Sequence, residues 1–291
     1  MAITPQDREP VPLNIWPCAQ KTAQYQRLGR YLPQSTQHPG KMLPDLARRI
    51  VEEYSNPGDL VVDPMCGIGT TMVEGAALGR RCLGVELEPR WAAVAERNLD
   101  HVLDAHHRRL AEVRVGDARH LTELLQDAAG AVDLVATSPP YACDAGTIDK
   151  AAWLAGRRLC TTSTLNYSAR RANLGHARGQ AYVAEMAGVY AECFAVLRPG
   201  GLLVTVTKNT RRGGRLLDLA GATVRLAHQA GFRYLQHVVA LLAAVRDSRL
   251  VARPSFWQLT QLRGAQARGN PTHLVAHEDV LVFAKPEDAH G

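Results

Sequence analysis

The sequence predicts an α/β protein: a doubly wound, mostly parallel sheet with helices on both faces and an antiparallel strand near the C-terminus. Three observations carry this prediction. Short apolar runs alternate with segments of helical periodicity along most of the chain. Turn signals such as NPGD (56–59) and RPGG (198–201) separate them closely. A glycine pair falls where the first strong strand ends and a helix opens. This alternation is the mark of a parallel sheet covered on both sides.

Residues 1–40 are rich in Pro, Gln and other polar residues and are expected to form an N-terminal arm, with a single domain over 41–291. KMLPDLARRIVEEYS places Met42, Leu43, Leu46, Ile50 and Tyr54 on one helical face, with Pro44 in the first turn. LVVD (60–63) reads as a buried strand and MVEGAALG as the following helix, capped by Gly79. RRCLGVEL is the next strand, and PRWAAVAERNLDHVL a helix opened by Pro89. VRVGD is a third strand, TELLQDA a helix and VDLVATS a fourth strand. After a long polar interval, YVAEMAGVYAECFAVL is a strong helix that RPGG turns into a fifth strand, LLVTVT. A helix near 216–229, the run FRYLQHVVALL and DVLVFAK complete the sheet.

Composition places the chain among globular proteins rather than disordered ones: 291 residues, 46% hydrophobic and 21% charged. The longest strictly apolar run, VVALLAAV (238–245), is too short to cross a bilayer. No basic stretch followed by an apolar one marks a secretory signal at the start. The cysteines at 18, 66, 82, 143, 160 and 193 are scattered without a CxxC pair, so neither a disulfide framework nor a zinc site is expected. A cytoplasmic setting fits these features.

The net charge of +6 is unevenly placed. Residues 1–136 hold 15 Lys/Arg against 18 Asp/Glu, whereas residues 137–291 hold 19 against 10. A basic half points to a polyanionic partner. Residues 151–184 contain no acidic residue but carry Arg157, Arg158, Arg170, Arg171 and Arg178, interleaved with Trp153 and Tyr167. KNTRRGGR adds Lys208, Arg211 and Arg212, and the interval 245–277 adds Arg253, Arg263 and Arg268. Arginine in such loops neutralises phosphates and reads guanine edges. The loops at 147–181 and 245–277 are therefore candidates for nucleic-acid recognition.

DPMCGIGTT (63–71) lies at the carboxyl end of the first strand. Gly67 and Gly69 permit a tight turn and let a ligand approach backbone N–H groups. Glu86 ends the next strand, where a carboxylate can accept both hydroxyls of a ribose. Asp117 follows the third strand, where a carboxylate or backbone can meet an adenine edge. Three such loops on one sheet edge suit a nucleoside, while the GxxxxGK[ST] of a triphosphate loop is missing. The fourth strand ends in TSPPY (137–141), where two prolines stop a sheet ladder and present an aromatic ring.

DPMCGIGTTMVEGAALGRRCLGVELEPR followed by GDAR and TSPPY resembles the amino-methylating DNA methyltransferases, which act on exocyclic amines of cytosine or adenine. HPGKMLPDLARRI resembles the segment that precedes the glycine loop in that family. Many members with SPPY place it upstream of the glycine loop, so the order here departs from theirs. The resemblance implies a Rossmann-like class I methyltransferase fold and S-adenosyl-L-methionine as cofactor, leaving S-adenosyl-L-homocysteine, with no metal. It assigns cofactor binding to Lys41, Asp63, Pro64, Met65, Cys66, Gly67, Gly69, Thr70 and Thr71, to Glu86 and Leu87, and to Asp117 and Ala118. Ser138, Pro139, Pro140 and Tyr141 become the catalytic loop.

The chemistry suits that assignment. An exocyclic amine is a weak nucleophile because its lone pair is delocalised into the ring. A rigid loop offering Ser138 Oγ and a proline carbonyl can accept both N–H bonds and expose the lone pair. Tyr141 can stack on a base turned out of its helix. A covalent route through cysteine is disfavoured, because Cys143 does not directly follow a proline. Serine at the first position favours cytosine N4, with adenine N6 and an RNA base as alternatives. Double-stranded DNA is the expected partner, with a nucleoid location, and a cognate restriction endonuclease is a candidate second partner.

Overall fold

The computed structural model describes residues 11–140, 147–148, 160–161, 174, 180–212, 215–254 and 256–287. In chain order the elements begin with β1 (Ile15–Trp16), α1 (Ala23–Arg27), α2 (Pro44–Tyr54), β2 (Leu60–Asp63), α3 (Thr70–Ala77), β3 (Arg81–Glu86) and α4 (Pro89–Val102). They continue with α5 (Ala105–Arg108), β4 (Ala111–Val115), α6 (Leu121–Leu124), β5 (Val132–Thr137), β6 (Thr147–Ile148), β7 (Cys160–Thr161) and α7 (Gln180–Val196). The C-terminal third holds β8 (Leu197–Thr207), β9 (Thr210–Arg212), β10 (Arg215–Leu217), α8 (Leu219–Gln229), β11 (Arg233–Leu241), β12 (Ala243–Arg246), β13 (Arg249–Ala252), α9 (Phe256–Ala267) and β14 (His277–Ala284).

Eight strands form one sheet in the order β4-β3-β2-β5-β8-β14-β11-β1. The five from β4 to β8 run parallel, and β14 lies antiparallel between β8 and β11. Every residue of β2 is buried, so the strand reads as a continuous apolar run rather than an alternating one, as expected when helices cover both faces. On one face Leu46, Ile50, Met72 and Leu99 pack from α2, α3 and α4. On the other, Met186, Val189, Tyr190 and Leu226 pack from α7 and α8 against Leu203 and Phe283. The crossovers from β2 and β5 leave in opposite directions, toward β3 and toward β8. Their carboxyl ends therefore border the crevice where ligands bind in open α/β sheets.

Four sequence expectations differ from what is observed. The described part of the lead-in, 11–40, is not irregular. Ile15 and Trp16 pair with Val239 and Ala240, and Trp16, Cys18 and Tyr31 are buried. The helix expected over TELLQDA is only the single turn α6, preceded by a short 3-10 turn. The helix expected from 216 starts at Leu219, because 215–217 pair with β9 and Asp218 caps the helix by accepting from Gly221 N at 2.9 Å. The interval 245–277 is no open loop but holds most of the β12–β13 hairpin and α9. No helix among the described residues is long and apolar enough to cross a membrane.

Candidate active site

The glycine loop is held from below by Asp63. Its Oδ1 accepts from Met65 N at 3.1 Å and its Oδ2 from Thr71 Oγ1 at 2.7 Å. Burial raises its pKa to about 6, and the hydroxyls of Thr71 and Thr137 oppose that rise. Thr137 is the last residue of β5, the parallel neighbour of β2 that leads into Ser138. The pairing of Val61 and Val62 with Leu134 and Val135 sets that register.

Glu86 closes the loop from the side. Its Oε2 accepts from Gly67 N and its Oε1 from Glu88 N, each at 2.9 Å. A carboxylate has about four acceptor positions. Two are used here, and each oxygen keeps one, which matches the two hydroxyls of a ribose. Burial pushes Glu86 up to about 7, with the nearby Asp63 and Glu88 carboxylates adding to the rise.

Gly67 and Gly69 have φ of 56° and 80°, a region where side chains are strained. A Cβ on Gly67 would stand 3.3 Å from the His38 ring, and one on Gly69 3.1 Å from Ala95 Cβ. The loop is thus closed by segments on both sides, with Gly67 N held by Glu86 and Gly69 N by Cys66 O. Pro64, Cys66, Thr70 and Thr71 are buried within it, Met65 is half-buried, and burial raises the Cys66 thiol pKa well above its ordinary value. The Glu86 acceptors and this glycine cradle fit a nucleoside cofactor.

Some expected cofactor residues have partners within the chain. Lys41 Nζ donates to the backbone oxygens of His38 and Thr36, and burial lowers its pKa to about 8. Both Asp117 oxygens accept from Arg119, including Nε to Oδ1 at 2.9 Å. Burial works to raise the Asp117 pKa, but the Arg119 bonds and charge prevail and leave it below the ordinary value. Leu87 is half-buried beside Glu86, and Ala118 is buried after Asp117.

Ser138 and Pro140 are half-buried at the end of β5, with Pro139 buried between them. Tyr141 lies outside the described residues, as do Arg157, Arg158, Arg170, Arg171 and Arg178. The backbones of Arg211 and Arg212 form part of β9. Arg263 and Arg268 are exposed, on and just after α9.

Two expected phosphate contacts are placed differently. Lys208 is half-buried; burial lowers its pKa, and the charges of Glu278 and Asp279 oppose that shift. Arg253 donates through Nε to Ala19 O at 2.9 Å and through a terminal nitrogen to Gln20 O at 3.3 Å. It therefore ties β13 and its following turn to the N-terminal segment.

Several contributors escaped the sequence reading. The His38 ring meets Trp91 edge-on with centroids 4.8 Å apart, and burial holds it neutral with a pKa of about 3. Asn98 on α4 accepts from Leu32 N at 3.0 Å and donates to Ser35 Oγ and Ile68 O, each at 2.9 Å, locking the lead-in onto the glycine loop. Tyr182 on α7 donates to Pro140 O at 2.9 Å. Glu185, one turn further, pairs with Arg119. The motif HPG flagged His38, but nothing local distinguished Asn98 or Tyr182 from ordinary helix residues.

Comparison with known proteins agrees with this geometry. Residues 3–97 match the family model described as DNA methylase. A tRNA (guanine(10)-N2)-dimethyltransferase of Methanocaldococcus jannaschii is 35% identical over 108 residues, 36% of this chain and 30% of that protein. DNA adenine methyltransferase YhdJ of Escherichia coli is 30% identical over 110 residues, 38% of this chain and 35% of that protein. Type II methyltransferase M.HinfI of Haemophilus influenzae is 38% identical over 68 residues, 23% and 18% of the two chains. The chain thus spans about a third of the length of the first two of these relatives.

Among solved structures, a geranyl diphosphate methyltransferase in complex with SAM superposes with a TM-score of 0.50 at 14% identity, covering 88% of this chain and 96% of that one. It shows the fold alone, the Rossmann-like methyltransferase fold. Over residues 3–97, the segment that includes the glycine loop, the chain is similar to the DNA methylase family, and over part of its length to the tRNA, DNA adenine and type II methyltransferases above.

Proposed function

We propose that this protein is an S-adenosylmethionine-dependent methyltransferase acting on the exocyclic amine of a nucleic-acid base, with double-stranded DNA as substrate and cytosine N4 favoured over adenine N6. The observation that carries the reading is the junction at the crevice. Asp63 ends β2 and Thr137 ends the neighbouring parallel strand β5, whose Leu134 and Val135 pair with Val61 and Val62, so nucleoside cradle and acceptor loop share one edge of adjacent strands.

The cofactor, when bound, supplies an electrophilic methyl group on a sulfonium. Glu86 offers its two remaining acceptor positions to a ribose, and Gly67 and Gly69 supply the left-handed turn that shapes the loop beside it. Ser138 Oγ and a proline carbonyl accept the two amine N–H bonds, which localises the nitrogen lone pair. Both prolines have fixed φ, which narrows the conformations open to the loop before the substrate arrives. Arg263 and Arg268 are exposed cations suited to phosphates.

Serine ahead of the two prolines supports the cytosine preference. A second reading, methylation of an RNA base, is supported by the 35% identity to a tRNA guanine-N2 enzyme, whose name also specifies an exocyclic amine.

The test supplies tritiated methyl donor with duplex DNA or bulk tRNA, then digests the product and identifies the nucleoside by mass spectrometry. N4-methylcytosine in DNA is the expected product. Label in N6-methyladenine corrects the base, label in tRNA alone corrects the substrate, and no label in either overturns the reading.

A further inference from the structure

The Ser138–Pro139–Pro140 segment has an unusual mechanical problem. Neither proline carries an N–H, so Pro139 and Pro140 cannot be held by backbone donors of their own. Proline fixes φ, and a following proline also restricts the ψ of Ser138 and Pro139, which leaves the ψ of Pro140, and so the direction of its carbonyl, unset. A donor from elsewhere must restrain that carbonyl if the loop is to be rigid.

The structure provides one on α7. The Tyr182 phenol donates to Pro140 O at 2.9 Å, bridging 42 residues of sequence. The helix that carries it is firmly seated, because Met186, Val189, Tyr190 and Cys193 are buried in the core on that side of the sheet. One turn beyond Tyr182, Glu185 pairs with Arg119, which grips Asp117. Residues three apart share a helix face, so a single face of α7 reaches both the acceptor loop and the loop after β4.

We propose that Tyr182 is a positioning residue for amine methylation: its hydroxyl fixes the Pro140 carbonyl and so holds Ser138 Oγ and the Pro139 carbonyl in the orientation that receives the amine. The proposal rests on the reading of residues 138–141 as the catalytic loop. Tyr182 touches no reacting atom and acts through the loop alone. With Pro140 O engaged by the phenol, Pro139 O is the proline carbonyl assigned to the substrate.

The test is Tyr182→Phe, which keeps the ring and removes the hydroxyl. The expected result is a kcat about ten- to a hundredfold lower, as for a loop displaced by a fraction of an ångström. The KM for nucleic acid, the cofactor affinity by calorimetry and the melting temperature should stay close to wild type. A purely structural role would instead move stability and affinity while sparing kcat.

A second readout does not depend on activity. Pro140–Tyr141 is the sole Pro-Tyr pair in the sequence. Carbonyl-13C proline with 15N tyrosine therefore gives one correlation peak that reports the Pro140 carbonyl. That peak should move in Tyr182→Phe. A stationary peak, or an unchanged kcat in an enzyme whose wild type is active, overturns the positioning role alone. A wild type that transfers no methyl to DNA or tRNA overturns the catalytic reading and this proposal with it.

Discussion

The sharpest consequence of the site concerns Glu86 and pH. Burial raises its pKa from 4.5 to about 7 in the folded protein without ligand. At about 1.4 kcal/mol per pH unit, ionising it inside the fold costs on the order of 3 kcal/mol. The folded state binds the proton more tightly than the unfolded chain. Its stabilising contribution is therefore complete below about pH 4.5 and is lost as pH rises through about 7.

Glu86→Gln removes that titration. It also leaves one of the two backbone donors, Gly67 N or Glu88 N, without a carboxylate oxygen, at about 1–3 kcal/mol. At pH 5 the variant should be less stable than wild type by that amount, and by pH 8 the gap should close or reverse. The Asp63 carboxylate adds to the rise of Glu86, so removing the Glu86 charge also eases the ionisation of Asp63, in the same sense as the closing of the gap.

In the proposed function the same carboxylate receives the nucleoside. Two ribose hydroxyls donate to the ionised form better than to the neutral one, so binding should draw a proton off Glu86. Cofactor affinity should rise up to about tenfold per pH unit below 7 and level off above it. Calorimetry at pH 6.5 in buffers of different ionisation enthalpy should show proton release on binding. Equal heats in all buffers, with an affinity flat from pH 6 to pH 8, would refute the assignment of Glu86 to the diol.

Ser138→Ala should lower methyl transfer by about a hundredfold or more while calorimetry shows cofactor affinity within about twofold of wild type, since the hydroxyl serves the amine rather than the donor. Gly69→Ala forces a side chain into φ of 80° and to 3.1 Å from Ala95 Cβ. Thermal or urea melts should register a loss of about 1–2 kcal/mol from the backbone term, with further loss from displacing α4. Arg263→Ala and Arg268→Ala should each flatten the dependence of log affinity on log salt by about one ion, measured by fluorescence anisotropy on duplex DNA. An unchanged slope removes that arginine from the interface.

The sheet was legible because a strand buried on both faces has little choice of composition. LVVD and VDLVA are apolar runs for that reason, and the glycines at 67 and 69 announce a left-handed turn that few other residues tolerate. Glu86 was legible because its position at a strand end is set by chain geometry. The lead-in was not, because its order comes from partners distant in sequence. Asn98 holds Leu32 and Ser35 from more than 60 residues away, and Ile15 and Trp16 pair with a strand beyond residue 230. Arg253 failed for the complementary reason. Composition reveals that a cation is present, whereas its partner here is a pair of backbone carbonyls at Ala19 and Gln20.

The same distinction explains how the site is organised. Groups recognisable from sequence, the Asp63 and Glu86 carboxylates and the two prolines after Ser138, bring acceptors without donors, and acceptors crowded in a buried crevice repel one another. Burial and mutual proximity raise Glu86, and burial raises Asp63. Such a cluster needs donors from elsewhere, and these come from several directions: Gly67 and Glu88 N–H to Glu86, Met65 N–H and the Thr71 hydroxyl to Asp63, and the Tyr182 phenol to Pro140. The supporting donors are backbone groups and ordinary hydroxyls, so they leave no motif. They nevertheless decide which lone pairs remain for a substrate: one on each oxygen of Glu86, and those of Ser138 Oγ and the Pro139 carbonyl. A change that removes a donor should therefore alter orientation and titration before it alters the fold.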